Sequence, residues 1–276
     1  MTEAWPSANG MMVTSSRSKV WERRDILGVK FDLIDYDTVL TAIQQWRQAG
    51  RREYVTLTNP HGVMLCLRDP AMRMAAEGAG LTLPDGVGII LAAKLLRYPQ
   101  CGRVTGPTLL LRLCDWGRQH GYKHYFYGGG QGVAESLVSR LRDEFPGLQV
   151  VGTQSPPFRT LTEEEDAARV ERINAARPDI VWVGLGAPKQ EKWMAAHVGR
   201  IEAAAVIGVG AAFDFHSGRI KWAPRWVRRL GMEWIYRAIQ DPRRVAPRAK
   251  ETFLFGTHIL WRAAVGFLGR GRKVHS

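Results

Sequence analysis

The feature that most limits what this chain can fold into is an alternation, kept from residue 29 to residue 215, of short apolar runs with longer stretches of helical period. Strand candidates lie at 54–58, 81–83, 125–127, 150–152, 180–183 and 205–209. Asp179-Ile-Val-Trp-Val-Gly-Leu-Gly186 shows their type. It is apolar at successive positions and ends in glycine, as a strand buried on both faces does before a βα loop. Helical patterns fill 38–49, 72–77, 86–96, 107–120, 133–145 and 163–176, the last with Thr162 as cap and Glu165 at capping-box spacing. The expected architecture is therefore α/β, a doubly wound (Rossmann-like) parallel sheet over residues 26–217. A flexible lead-in over 1–25 precedes it, and a basic helical C-terminal appendage over 218–276 follows.

Composition narrows the setting. Three cysteines, Cys66, Cys101 and Cys114, are widely spaced with no CxxC pair, so neither a disulfide framework nor a structural zinc site is expected. Glu3, Pro6 and Gly10 interrupt the apolar core that a signal peptide would need. The apolar run over 253–268 is broken by Thr257, His258 and Arg262, short of the ~20 apolar residues of a spanning helix. From Gly218 onward 14 basic residues face 3 acidic ones, which places +11 of the formal +13 in the last fifth of the chain. Trp222, Trp226, Trp234 and Trp261 are interleaved with that charge, a mixture suited to an anionic membrane surface. Nucleic acid is the competing polyanion. A homo-oligomer stays open.

In a parallel sheet ligands bind beyond the strand carboxyl ends, so the loops there carry the functional candidates. Thr58-Asn-Pro-His61 follows the first long strand. Asp85, in Leu83-Pro-Asp-Gly86, has two readings: a general base for an attacking hydroxyl, or an N-cap of the helix that follows. Gly128-Gly-Gly130 lies between strand and helix, where backbone N–H groups and a helix dipole can meet a phosphate. It is equally a tight turn without ligand, and no acidic residue stands where a dinucleotide fingerprint needs one. Gln190 and Glu191 follow Pro188 at a helix start and are expected to project into the cleft, the alternative being a solvated helix end. Asp214 follows the last strand, placed to accept from a sugar or ribose hydroxyl or to pair with the basic segment. Asp35 and Asp37 form an Asp-x-Asp, better explained by capping than by metal binding, and no His, Asp or Glu set has ligand spacing, so no metal is expected.

Taken together, these segments resemble the WecG/TagA/CpsF family, glycosyltransferase family 26. The matching words are Asn59 with Arg68-Asp-Pro70, Leu83-Pro-Asp-Gly86, Phe126-Tyr-Gly-Gly129, Phe145-Pro-Gly147, Pro178-Asp-Ile180, Val183-Gly-Leu-Gly-Ala-Pro-Lys-Gln-Glu-Lys-Trp193, Gly208-Val-Gly-Ala-Ala-Phe-Asp214, Ala223-Pro-Arg-Trp226 and Glu233-Trp-Ile-Tyr-Arg237. The resemblance implies an inverting, metal-independent enzyme without cofactor. It would move a sugar, N-acetylmannosamine first among candidates, from a UDP-sugar to a polyprenyl-diphosphate-linked saccharide. UDP-glucose or UDP-glucuronic acid in exopolysaccharide assembly is the alternative within the family. The setting implied is peripheral, on the cytoplasmic face of the inner membrane. Carried over residue by residue, the proposed base falls on Asp85, the cleft glutamine on Gln190 and the late aspartate on Asp214. Thr58, Asn59, Gly86, Gly128, Gly129, Gly130 and Glu191 fall in the binding loops, and appendage arginines that close on the donor diphosphate fall on Arg237, Arg244 and Arg248. The sequence departs from the family's Thr-x-Asn word in having Leu57, with the hydroxyl supplied by Thr58; His61 and Pro247 are further departures. Readings from other classes are a nicotinamide-dependent oxidoreductase using the glycine turn and a nucleic-acid-binding module using the basic tail.

Overall fold

The computed structural model describes residues 21–99, 102–229, 232–240 and 242–271; the side chains of several residues between 225 and 271 lie outside that description. A hairpin of β1 (Arg24–Ile26) and β2 (Val29–Phe31) leads into α1 (Tyr36–Gln48). Then follow β3 (Glu53–Thr58), α2 (Pro60–Arg68), α3 (Pro70–Glu77), β4 (Leu81–Pro84), α4 (Val87–Leu95) and α5 (Gly106–Gln119). The chain continues through β5 (Lys123–Gly128), α6 (Val133–Glu144), β6 (Gln149–Gln154), α7 (Glu163–Ala175), β7 (Ile180–Gly184), α8 (Lys189–His197), β8 (Ala205–Gly208) and α9 (Ala212–His216). The appendage consists of α10 (Arg225–Arg229), α11 (Glu233–Gln240) and α12 (Pro242–Gly271).

Six strands form one sheet in the order β4-β3-β8-β7-β5-β6, and every pairing within it is parallel. Alternate residues of the central strands serve opposite cores, which explains why β7 and β8 carry no polar side chain. Ile180 and Trp182 pack with Phe126, Ile207 and residues of α1, α5, α6 and α9. Val181 and Val183 pack with Tyr125, Tyr127, Val206 and residues of α7 and α8. A third core holds the hairpin, α2, α3, α4 and α12 together through Phe31, Val63, Met64, Ile89, Phe255 and Ile259.

Local signals act as expected where their partners are near in sequence. Thr162 accepts from Glu165 N at 3.2 Å while the Glu165 carboxylate accepts from Thr162 N at 3.1 Å, a complete capping box. Asp35 caps α1 through Thr38 N at 2.9 Å, which accounts for half of the Asp-x-Asp, and Asp37 faces Arg112 at 3.5 Å. Residues 21–25 of the expected lead-in make defined contacts. Trp21 and Arg23 bind the buried Asp32 at 2.6 and 3.2 Å, and Arg24–Ile26 is already a strand. Residues 1–20, the rest of that segment, lie outside the described residues.

Candidate active site at the carboxyl edge of the sheet

Because the strands run parallel, the loops after β3, β4, β8, β7 and β5 meet along one edge. At one corner Thr58 pairs with Pro84 across β3 and β4, and Asp85 N donates to Thr58 O at 3.0 Å, locking the two loops together. Thr58 is buried, whereas Asn59 is exposed and caps α2, its Oδ1 accepting from Gly62 N at 3.0 Å. Asp85 is half-buried and stands one residue before Gly86, the N-cap position of α4, at φ 90°. That backbone conformation is one side chains rarely adopt, and it turns the chain sharply after Asp85.

Sequence reasoning missed Arg103. Val104 N donates to Pro84 O at 3.2 Å, which brings Arg103 beside the Asp85 loop. Its guanidinium reaches into the appendage, donating to Glu233 Oε2 at 3.0 Å and to the Arg228 carbonyl at 3.1 Å. Trp222 donates to the other Glu233 oxygen at 3.1 Å and lies under Arg228 at 3.7 Å. Arg103 sits in no motif, and its partners are 125 and 130 residues away, so nothing local announces it.

The glycine turn lies at the other end. Four strand spacings separate β4 from β5, about 19 Å at ~4.8 Å each, so Asp85 and the turn do not share a reacting centre. One amide of the turn, that of Gly129, is engaged within the protein. Gly129 N donates to Gly184 O at 3.0 Å, and Ser155 Oγ bridges to the carbonyls of Gly128 and Gly130 at 3.2 and 3.3 Å. Gly128 has to be glycine: a Cβ there would stand 2.6 Å from the Gly184 carbonyl carbon. Asp214 faces Arg219 at 3.8 Å, the ion-pair alternative, and the Arg219 guanidinium lies against Gly130.

Between these ends sit Gln190 and Glu191, and here the expectation that both project into the cleft is overturned. They are 4% and 2% exposed, with Gln190 bonded to Gly186 N, Gly210 N and Glu191. Burial raises the Glu191 carboxyl above the ordinary carboxylate value, the amide of Gln190 only partly offsetting it. Nearby, burial holds His216 down to about 4, so its neutral ring makes the 2.9 Å contact to the Pro107 carbonyl at the start of α5.

The appendage closes over the β3–β4 side. Phe255 and Ile259 are buried against α2 and α4, Glu251 is gripped by His61 and Arg68, and Arg262 pairs with Asp25 at 2.7 Å. Arg237 falls on α11 and Arg244 and Arg248 on α12, and their side chains lie outside the described residues. On the outward side of α12, Phe253, Leu260 and Trp261 are exposed, as is Ile239 of α11. No helix among the described residues is long and apolar enough to cross a membrane, and none of their His, Cys, Asp and Glu side chains form a group of three placed to hold a metal ion.

A parallel sheet flanked by helices, with a carboxylate at the mouth of one strand and a basic helical appendage beside it, places the chain among α/β proteins whose ligands sit at the carboxyl edge of the sheet. Comparison with known proteins makes the assignment specific. The model of the WecG/TagA/CpsF glycosyl transferase family matches residues 24–268, and the chain belongs to that family. It is 30% identical over 191 residues to the N-acetylglucosaminyldiphosphoundecaprenol N-acetyl-beta-D-mannosaminyltransferase of Bacillus spizizenii, covering 69% of this chain and 72% of that one. The enzyme of the same name from Staphylococcus aureus strain MW2 is 28% identical over 223 residues, covering 80% of this chain and 86% of its own. The chain is thus a hexosyltransferase of the family its sequence resembles.

Proposed function

We propose that the chain transfers N-acetylmannosamine from UDP to a polyprenyl-diphosphate-linked saccharide, with inversion and without a metal, at the cytoplasmic face of a membrane. The observation that carries this reading is the β3–β4 corner, where a half-buried Asp85 is fixed by its backbone bond to Thr58 and flanked by Arg103. The relatives' names supply the sugar and the lipid-linked acceptor.

In this reading the acceptor hydroxyl gives its proton to the Asp85 carboxylate as its oxygen forms the bond to the anomeric carbon. The bond from that carbon to the β-phosphate oxygen breaks, and UDP leaves with the electron pair. One displacement at the anomeric carbon inverts it. The ~19 Å between β4 and β5 orients the donor: its sugar at the Asp85 corner, its nucleoside toward the glycine turn and Asp214. Arg237, Arg244 and Arg248 answer the diphosphate charge from the appendage, where cations aimed at developing charge are most effective. Arg103 ties the Asp85 loop to Glu233, so that seating the appendage and setting the base are one event. The membrane part of the reading rests on the +11 charge and on the exposed Phe253, Leu260 and Trp261 of α12.

Asp85→Asn tests the base. Turnover of UDP-N-acetylmannosamine on a short polyprenyl-diphosphate sugar is expected to fall by about 10²–10⁴, the usual worth of a general base, with UDP affinity within a few-fold of wild type. Full turnover in that variant removes Asp85 from the role.

A further inference from the structure

β7 and β8 are neighbours in the sheet, so the loops that leave them run side by side along the floor of the cleft. Gln190, in the first turn of α8, lies beneath both. Its Oε1 accepts from Gly186 N at 3.2 Å and from Gly210 N at 3.0 Å, one N–H from each loop. Its Nε2 donates to Glu191 Oε1 at 2.9 Å. Gly208 makes the room, since a Cβ there would stand 3.1 Å from Gln190 Nε2. A side-chain amide is nearly symmetric in shape but not in polarity. Turned over, it would set its own N–H groups against two backbone N–H groups and its oxygen against a carboxyl oxygen. Donors at one end and an acceptor at the other therefore select the same orientation.

Glu191 is an unusual acceptor for this task. Its Oε2 is buried and has no hydrogen-bond partner among the described residues. Desolvation of that kind disfavours the carboxylate and raises its pKa, while Oε1 still accepts from the amide.

We infer that Gln190 and Glu191 are positioning residues, not substrate contacts: Glu191 orients the Gln190 amide, and Gln190 sets the spacing of the β7 and β8 loops. That these loops floor a donor site rests on the transferase reading; the latch itself does not. A reacting geometry lost by even ~1 Å costs about 100-fold in rate, so a device buried beneath the cleft governs kcat without touching the ligand.

The test pairs Glu191→Gln, which keeps an acceptor oxygen for the amide, with Glu191→Met and Gln190→Met, which keep bulk and remove hydrogen bonding. Full-length proteins are compared by amide exchange at Gly186 and Gly210, by kcat and by UDP affinity. Exchange at both glycines is expected to quicken at least tenfold in the two Met variants, with kcat down by about 100-fold and UDP affinity changed only a few-fold. Glu191→Gln is expected to recover most of what Glu191→Met loses on both measures. The inference is overturned if Glu191→Gln is as damaging as Glu191→Met, or if Gln190→Met leaves exchange at the two glycines unchanged. Should wild type transfer no sugar while its glycine amides follow the expected pattern, the transferase reading fails and the latch stands.

Discussion

At the β7–β8 junction the polar groups that fix the loops are inside the protein, Gln190 at 4% and Glu191 at 2% exposure, and their partners are backbone N–H groups of the sheet edge itself. The appendage that borders the other end of the edge is attached differently. Its ion pairs use Arg68, Arg103 and Arg262, side chains that water reaches, and α12 has two fully buried apolar anchors, Phe255 and Ile259. Buried and cooperative contacts make a region open only with the whole fold, whereas solvated ones allow local opening at lower cost. The difference separates two tasks. One region is a fixed floor, and the other is attached so that it can open locally.

Phe255→Ala breaks that division most severely. Removing a buried phenylalanine side chain costs about 3–5 kcal/mol, and Phe255 packs in the core that joins α12 to α2 and α4. If the appendage is a separate unit, amides of α12 lose protection by two to three orders of magnitude while those of β7 keep theirs. Equal losses in α12 and β7 would make the molecule one cooperative unit and erase the contrast.

A second variant sharpens it from the outside. Phe253 and Trp261 are each 72% exposed on the face of α12 opposite its buried anchors. Seating each in a bilayer interface contributes ~1.5–3 kcal/mol. Phe253→Ser with Trp261→Ser is therefore expected to weaken binding to phosphatidylserine vesicles by roughly 100-fold or more, with thermal stability nearly unchanged. Unaltered vesicle binding removes this face from the membrane.

What the sequence disclosed and what it hid divide along the same line. The central strands β7 and β8 were legible because a strand buried on both faces is apolar at every position, and Thr162 with Glu165 because a capping box closes within four residues. The β1–β2 hairpin escaped, its strands being three residues each. α2 escaped although Asn59 and Pro60 form a regular helix start, because the pair was read as a binding loop. Asp85 was singled out by its place after β4. The inward turn of Gln190 and Glu191 was hidden, since it depends on Gly210, 20 residues on, arriving beside Gly186. Arg103 was hidden for the same reason at greater range. Side-chain direction at a helix start is a tertiary fact, and periodicity carries none of it.

The smallest expected effect lies at the Glu251 clasp. Burial alone would raise this carboxyl, but Arg68 and His61 outweigh it and hold it below the ordinary carboxylate value. A carboxyl whose pKa is lower folded than unfolded stabilises the attached state at neutral pH, and that contribution is lost as pH falls below about 4.5 toward the folded value. Partly exposed ion pairs are worth up to about 1 kcal/mol, so Glu251→Gln should raise the opening rate of α12 by no more than about fivefold at pH 7. It should also flatten the acid dependence of α12 exchange, leaving β7 untouched. An acid dependence identical in wild type and variant would move the attachment of the appendage entirely onto Phe255 and Ile259, making the clasp a consequence of packing and not one of its causes.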